Sequence, residues 1–146
     1  MEFINRLIHT LTEVHPLHPM LVHFPIALTG AGALFILIAA WRKNDSLEQA
    51  AFANIVLAFL GALAAVFTGI SSNIQNYDGE APNAPVKITL ATILIIITGI
   101  TIFARWRNPG LFESRARYLY IAAYFVSFAI VLVLAFLGGV ILYGFS

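Results

Sequence analysis

Three of the four histidines fall within one short run, His15-Pro16-Leu17-His18-Pro19-Met20-Leu21-Val22-His23-Phe24-Pro25, and the fourth, His9, stands just upstream. Imidazole suits iron, copper and zinc. It is also the usual protein ligand where haem is held without cysteine. The chain has no cysteine, which excludes disulfides, thiolate ligation of iron–sulfur clusters, covalent c-type haem and thiol catalysis. The run therefore reads first as a ligand set for haem b or a transition metal ion. His18 and His23 lead that set, and His15 or His9 supplement it. Asp78 and Glu80, on the same expected side, are placed to orient a ligand imidazole. Axial ligands approach a porphyrin from opposite faces, and no histidine follows His23. The second haem ligand would then come from His9 or His15 folding back, from another subunit, or from another residue type.

Two other readings of the same run stand beside this one. In a structural reading the ring nitrogens satisfy backbone groups and fix how the chain enters the membrane. Pro25 cannot donate to the carbonyl of Leu21, so that carbonyl is a natural partner. In a third reading, His23 and its neighbours exchange protons or hold a quinone headgroup, since imidazole titrates near working pH. Backbone rules bear on all three. A residue before proline is pushed away from helical conformation, so His15 and His18 are expected on extended backbone. Pro19 suits the first turn of a helix. His23 then lies about 6 Å further along it.

The elements that position these residues are apolar spans. Hydrophobic residues make up 60% of the 146, and charged residues 10%. A water-soluble chain of this size could not bury so much apolar side chain. Leu21–Trp41, Ala50–Ile70, Val86–Ala104 and Tyr118–Phe145 each approach or exceed the roughly 20 residues that cross a bilayer. Only Lys87, at the edge of the third, is charged, and it can snorkel. In hydrocarbon such runs must be helices. The expected fold is all-α: one domain, a four-span up-down bundle joined by the short segments Arg42–Gln49, Ser71–Pro85 and Arg105–Arg117. A short amphipathic helix over 2–14 is expected at the membrane surface, with Phe3, Ile4, Leu7, Ile8, Leu11 and Val14 on one face. No cleavable signal is expected before it.

Small or polar residues recur along the second span at Asn54, Ala58, Gly61, Ala65 and Thr68, which favours close helix packing over a cofactor slot. Gly138 and Gly139 could make room near His23, and Tyr124, Phe125, Phe128 and Phe136 read as lipid-facing or core. Basic residues sort six to two across the membrane: Arg42, Lys43, Arg105, Arg107, Arg115 and Arg117 against Arg6 and Lys87. Positive-inside logic places both termini, the Ser71–Pro85 loop and the histidines outside, in a bacterial cytoplasmic membrane. Trp41, Trp106, Tyr118 and Tyr120 form the expected inner aromatic belt, with Tyr77 and Tyr143 near the outer one. No phosphate loop, nucleophile elbow or H-E-x-x-H pattern occurs, and no basic run points to nucleic acid.

The run HPLHPMLVHFPIAL over residues 15–28, followed by three further spans, resembles a family of uncharacterised bacterial four-helix membrane proteins classed as a domain of unknown function. Some members of that family are joined to Rieske-type or cytochrome-type domains. The resemblance implies His15, His18 and His23 as signature residues, a part in membrane electron transfer, and a separate membrane or periplasmic redox partner. The leading functional expectation is a redox accessory protein of the membrane. Behind it stand a non-catalytic subunit of a larger membrane complex and, last, a small transporter.

Overall fold

The computed structural model describes residues 1–9 and 17–143, with the side chains of all but 76, 77 and 141–143. Helix α1 is Glu2–His9, α2 Leu17–Arg42, α3 Asp45–Tyr77, α4 Ala84–Arg107 and α5 Arg117–Tyr143, with one 3-10 turn at Leu111–Glu113. The described residues contain no strand. The helices α2 to α5 contain stretches long and apolar enough to cross a membrane. Successive long helices pack on one another and α5 closes on α2, giving the expected all-α bundle. Of the helix expected over 2–14, residues 2–9 are helical, and residues 10–14 lie outside the described part.

The helices outrun the apolar segments that mark them. Helix α3 starts five residues before Ala50 because Asn44 caps it: the Asn44 side chain accepts from the Leu47 N–H at 3.0 Å. It then continues past Ile70 to Tyr77. There Asn73 holds the turn to α4, donating to the Gly79 carbonyl at 3.1 Å and accepting from the Ala81 N–H at 2.9 Å. Asp78 and Gly79 both take positive φ, +50° and +85°, which ends the helix. The α2–α3 connection shrinks to Lys43 and Asn44, and α4 runs on through Arg105 and Arg107. Leaving hydrocarbon does not end a helix. A cap or a left-handed residue does.

Helices α2 and α3 form the tightest pair and keep one antiparallel register along their whole length. A Cβ on Gly32 would lie 3.6 Å from the Asn54 Cβ, one on Gly61 would lie 3.2 Å from the Pro25 Cδ, and one on Gly69 would lie 2.9 Å from the His18 Cε1. The α2 members, 18, 25 and 32, are seven apart. Each contact has a small residue on one side, which lets the backbones approach. The small stripe on α3 is therefore a packing face, with Ala58 and Ala65 buried on it. Pro25 is buried in this seam without ending α2. The main core gathers Ala33, Ile36, Ala39, Ala51, Ile55, Tyr120 and Tyr124, and a smaller cluster holds Ala62, Leu94 and Val131.

Candidate functional site

The end of the bundle that begins α2 carries His18 and His23. His18 is helical, not extended, since α2 begins at Leu17. The first turn of a helix has no intrahelical acceptor for its N–H groups, so Pro19 fits there without loss. The His18 ring also gains a partner from α3: its Nδ1 lies 3.2 Å from the Thr68 Oγ1. The Thr68 hydroxyl also has the Ala64 carbonyl at 3.0 Å and the Ala65 carbonyl at 3.2 Å as acceptors. With its hydrogen on either carbonyl, Thr68 Oγ1 accepts from the His18 Nδ1–H. The ring abuts Gly69, with Cε1, Nδ1 and Nε2 at 2.9, 3.3 and 3.4 Å from the place a Cβ would take.

His23 has a different environment. Its Nδ1 donates to the Pro19 carbonyl at 2.6 Å, one turn back on its own helix, and the residue is exposed. In the neutral ring that bond fixes the tautomer and leaves Nε2 its lone pair. Five residues separate His18 from His23, so they point about 140° apart around the helix. The two rings are thus held by separate bonds on different faces. Neither takes the Leu21 carbonyl expected of a structural histidine. The Leu21 side chain instead lines an apolar groove of about 350 Å³ with Phe24, Leu28, Leu57 and Gly61.

Asp78 and Glu80 do not join this pair. His9 is exposed on α1 and His15 lies outside the described residues. Asp78 and Glu80 are exposed, and neither is the ring partner of His18 or His23, which bond Thr68 and Pro19. Among the described residues no group of three or more His, Cys, Asp or Glu side chains is placed to hold a metal ion. Gly138 falls on the α5 face that carries the buried Tyr120, Tyr124, Ser127 and Val131. Among the described residues, no atom lies within 4 Å of a Cβ there or on Gly139.

Gly69 gives a direct handle on His18. In Gly69→Ala the new methyl would press on the imidazole, a movable side chain, which swings away from Thr68. The expected loss is one hydrogen bond, about 0.5–1.5 kcal/mol. Thr68→Val should lose a similar amount, and the double variant little more than either, because both remove the same bond. Unfolding titrations in a denaturing detergent measure all three; additive losses would place the two residues in separate interactions.

The opposite, arginine-rich end holds a polar network that sequence reasoning missed. Glu48, 3% exposed, receives the Arg105 guanidinium in a two-point pair, Nε to Oε1 at 2.7 Å and Nη2 to Oε2 at 2.9 Å. The Tyr120 hydroxyl donates to Glu48 Oε1 at 2.8 Å, so Tyr124 must be the donor in the 3.0 Å bond between the two tyrosine hydroxyls. Arg105 also stacks over Phe52, 5.5 Å from the ring centre. Arg117 reaches across to the Ala40 carbonyl at 2.9 Å, satisfying one of the last acceptors of α2. Tyr120 and Tyr124 are therefore buried core residues and not part of an aromatic belt. Trp41, Trp106 and Tyr118 are exposed as a belt requires, and the Tyr77 and Tyr143 side chains lie outside the described part. The one available signal was an i, i+4 tyrosine pair on a helix facing an arginine and a glutamate that flank other spans.

Four long apolar helices closed into a bundle define a helical membrane protein. The family model described as a predicted membrane protein, DUF2231, matches residues 14–146, and the chain belongs to this family. No curated protein and no solved structure matches it.

Proposed function

We propose that this chain is a membrane accessory protein of electron transfer that offers one imidazole, His23, as a ligand to haem b or to a transition metal ion. The reading rests on the His23 ring. Its Nδ1–H is anchored on the Pro19 carbonyl at 2.6 Å and its Nε2 is left to bind. A ligand histidine typically has this arrangement, with the far nitrogen bonded to a carbonyl that fixes ring and tautomer. Among the described residues no atom approaches a Cβ at Gly138 or Gly139 within 4 Å, near the same end of the bundle, which supports space there for a bulky group. Such a group would supply one-electron chemistry at this end of the bundle. His18 serves a different purpose here: it pins α2 to α3 through Thr68.

The test is a visible spectrum of detergent-purified protein supplied with haem, beside elemental analysis. We expect a Soret band with reducible α and β bands that His23→Ala abolishes and His18→Ala retains. Retention in His23→Ala would remove the assignment. A colourless, metal-free protein would favour the second reading, a non-catalytic subunit of a larger membrane complex. One observation favours that second reading: His18 already has a structural partner.

Orientation is part of the proposal. The excess of basic residues at the Glu48 end supports an orientation with that end in the cytoplasm and the His23 end outside, where a periplasmic or membrane redox partner would meet it. A reporter fused after Ser146 that is active only outside is the expected result. Activity in the cytoplasm would reverse it.

A further inference from the structure

The basic end of the bundle carries a charged surface that the Glu48 network does not use. Residues 40–43 and 114–118 hold four cations, Arg42, Lys43, Arg115 and Arg117, and no acid. Asp45 and Glu113, the nearest acids along the chain, line a polar cavity of about 170 Å³ together with Glu48 and Arg105.

One contact joins the two segments. Arg117 Nη2 donates to the Ala40 carbonyl at 2.9 Å, and its guanidinium stacks on Phe112, 5.0 Å from the ring centre. The carboxyl end of α2 is thereby tied to the amino end of α5. Arg42 lies two residues after Ala40, and Arg115 two residues before Arg117. Arg42, Lys43 and Arg115 are exposed, and none has an ion pair among the described residues. Cations held this near one another repel, and an anion between them relieves the repulsion.

The neighbouring aromatic side chains identify the kind of anion. Trp41 follows Ala40, Tyr118 follows Arg117, and both are 81% exposed. Such residues sit at headgroup level in a bilayer, with the ring towards the acyl chains and the polar atom towards water. The cations lie one to three residues further out along each segment, where phosphates are. An arginine fork matches a phosphate with two parallel hydrogen bonds. A free phosphate would use the arginines and leave the rings without a role.

We infer that the joint between α2 and α5 binds an anionic phospholipid: Arg42 and Arg115 hold the headgroup phosphate, and Trp41 and Tyr118 pack beside its glycerol and upper acyl chains. This site is independent of the His23 reading.

The experiment exchanges purified protein into nanodiscs of equal parts phosphatidylglycerol and phosphatidylcholine and counts, by native mass spectrometry, the lipids that stay bound. Phosphatidylglycerol is expected to be retained in preference. Arg42→Gln and Arg115→Gln should each lower that preference about fivefold, the effect of one cation facing anionic lipid. Helix content should not change, because neither side chain bonds another part of the fold. Arg107→Gln removes an exposed cation from the same end, but on α4, and should leave the preference nearly unaltered. Equal retention of the two lipids by the parent protein would overturn the site. A loss in Arg107→Gln as large as in the other two variants would also overturn it, since diffuse charge would then account for the binding.

Discussion

Replacing Glu48 by alanine should destabilise the bundle by about 3–5 kcal/mol, the loss typical when one partner of a buried ion pair is removed. The Glu48 side chain is 4% exposed and that of Arg105 16%. Glu48→Ala strands the guanidinium, whose Nε and Nη2 both lose their acceptor, and strands the Tyr120 hydroxyl behind it. Three helices are held at this point: Glu48 belongs to α3, Arg105 to α4 and Tyr120 to α5. The size of the loss reflects the charge left unpaired and not the worth of the pair. A double replacement, Glu48→Met with Arg105→Met, should therefore lie closer to the parent than either single change. Unfolding in a denaturing detergent measures each variant. A Glu48→Ala protein within about 1 kcal/mol of the parent would show that water reaches Arg105 freely and that the network holds little together.

The spans were legible in the sequence because hydrocarbon allows few solutions. A long uncharged run must be a helix there, and short connections must return it antiparallel. The packing face of α3 was legible too, since Asn54, Gly61 and Thr68 repeat at helical spacing and are too small to do anything else well. Helix ends were less so. Asp45 and Glu48 read as loop residues because they lie outside the apolar run, yet the Asn44 cap extends α3 back over them. The Glu48 network followed from that misreading. Its pairs are 57 and 72 residues apart, and a single sequence carries no trace of which distant side chains meet.

The histidine run was visible at once, and its division was not. A rule about residues before proline put His18 on extended backbone. The start of α2 at Leu17 placed it on a helix face, and helical geometry then turned His18 and His23 apart. Two residues of one motif thus have different surroundings, set by the position of the helix start. His18 belongs to the seam with α3, whereas His23 lies on an exposed face of α2.

That seam supports the second large prediction. Gly61→Leu should cost about 1–3 kcal/mol and should also release His18 from Thr68. Its Cβ alone would lie 3.2 Å from the Pro25 Cδ and 3.3 Å from the Phe24 Cβ. Neither atom is the end of a flexible side chain, so the two backbones must part, and overpacking of this kind costs that much. The displacement is expected to travel, because α2 and α3 share one register from Gly32–Asn54 through Pro25–Gly61 to His18–Gly69. Moving α2 out at Pro25 lifts His18, two turns away, off the face that holds Thr68. Nitrogen NMR of the His18 ring should then report loss of the protonated Nδ1, together with the fall in stability. Gly138→Leu is the control inside the same molecule. Its Cβ meets no described atom within 4 Å, so a larger side chain there should leave both readouts unchanged. Equal effects from the two glycines would mean that helix propensity, not the α2–α3 seam, governs the response, and that the shared register carries no strain between Pro25 and His18.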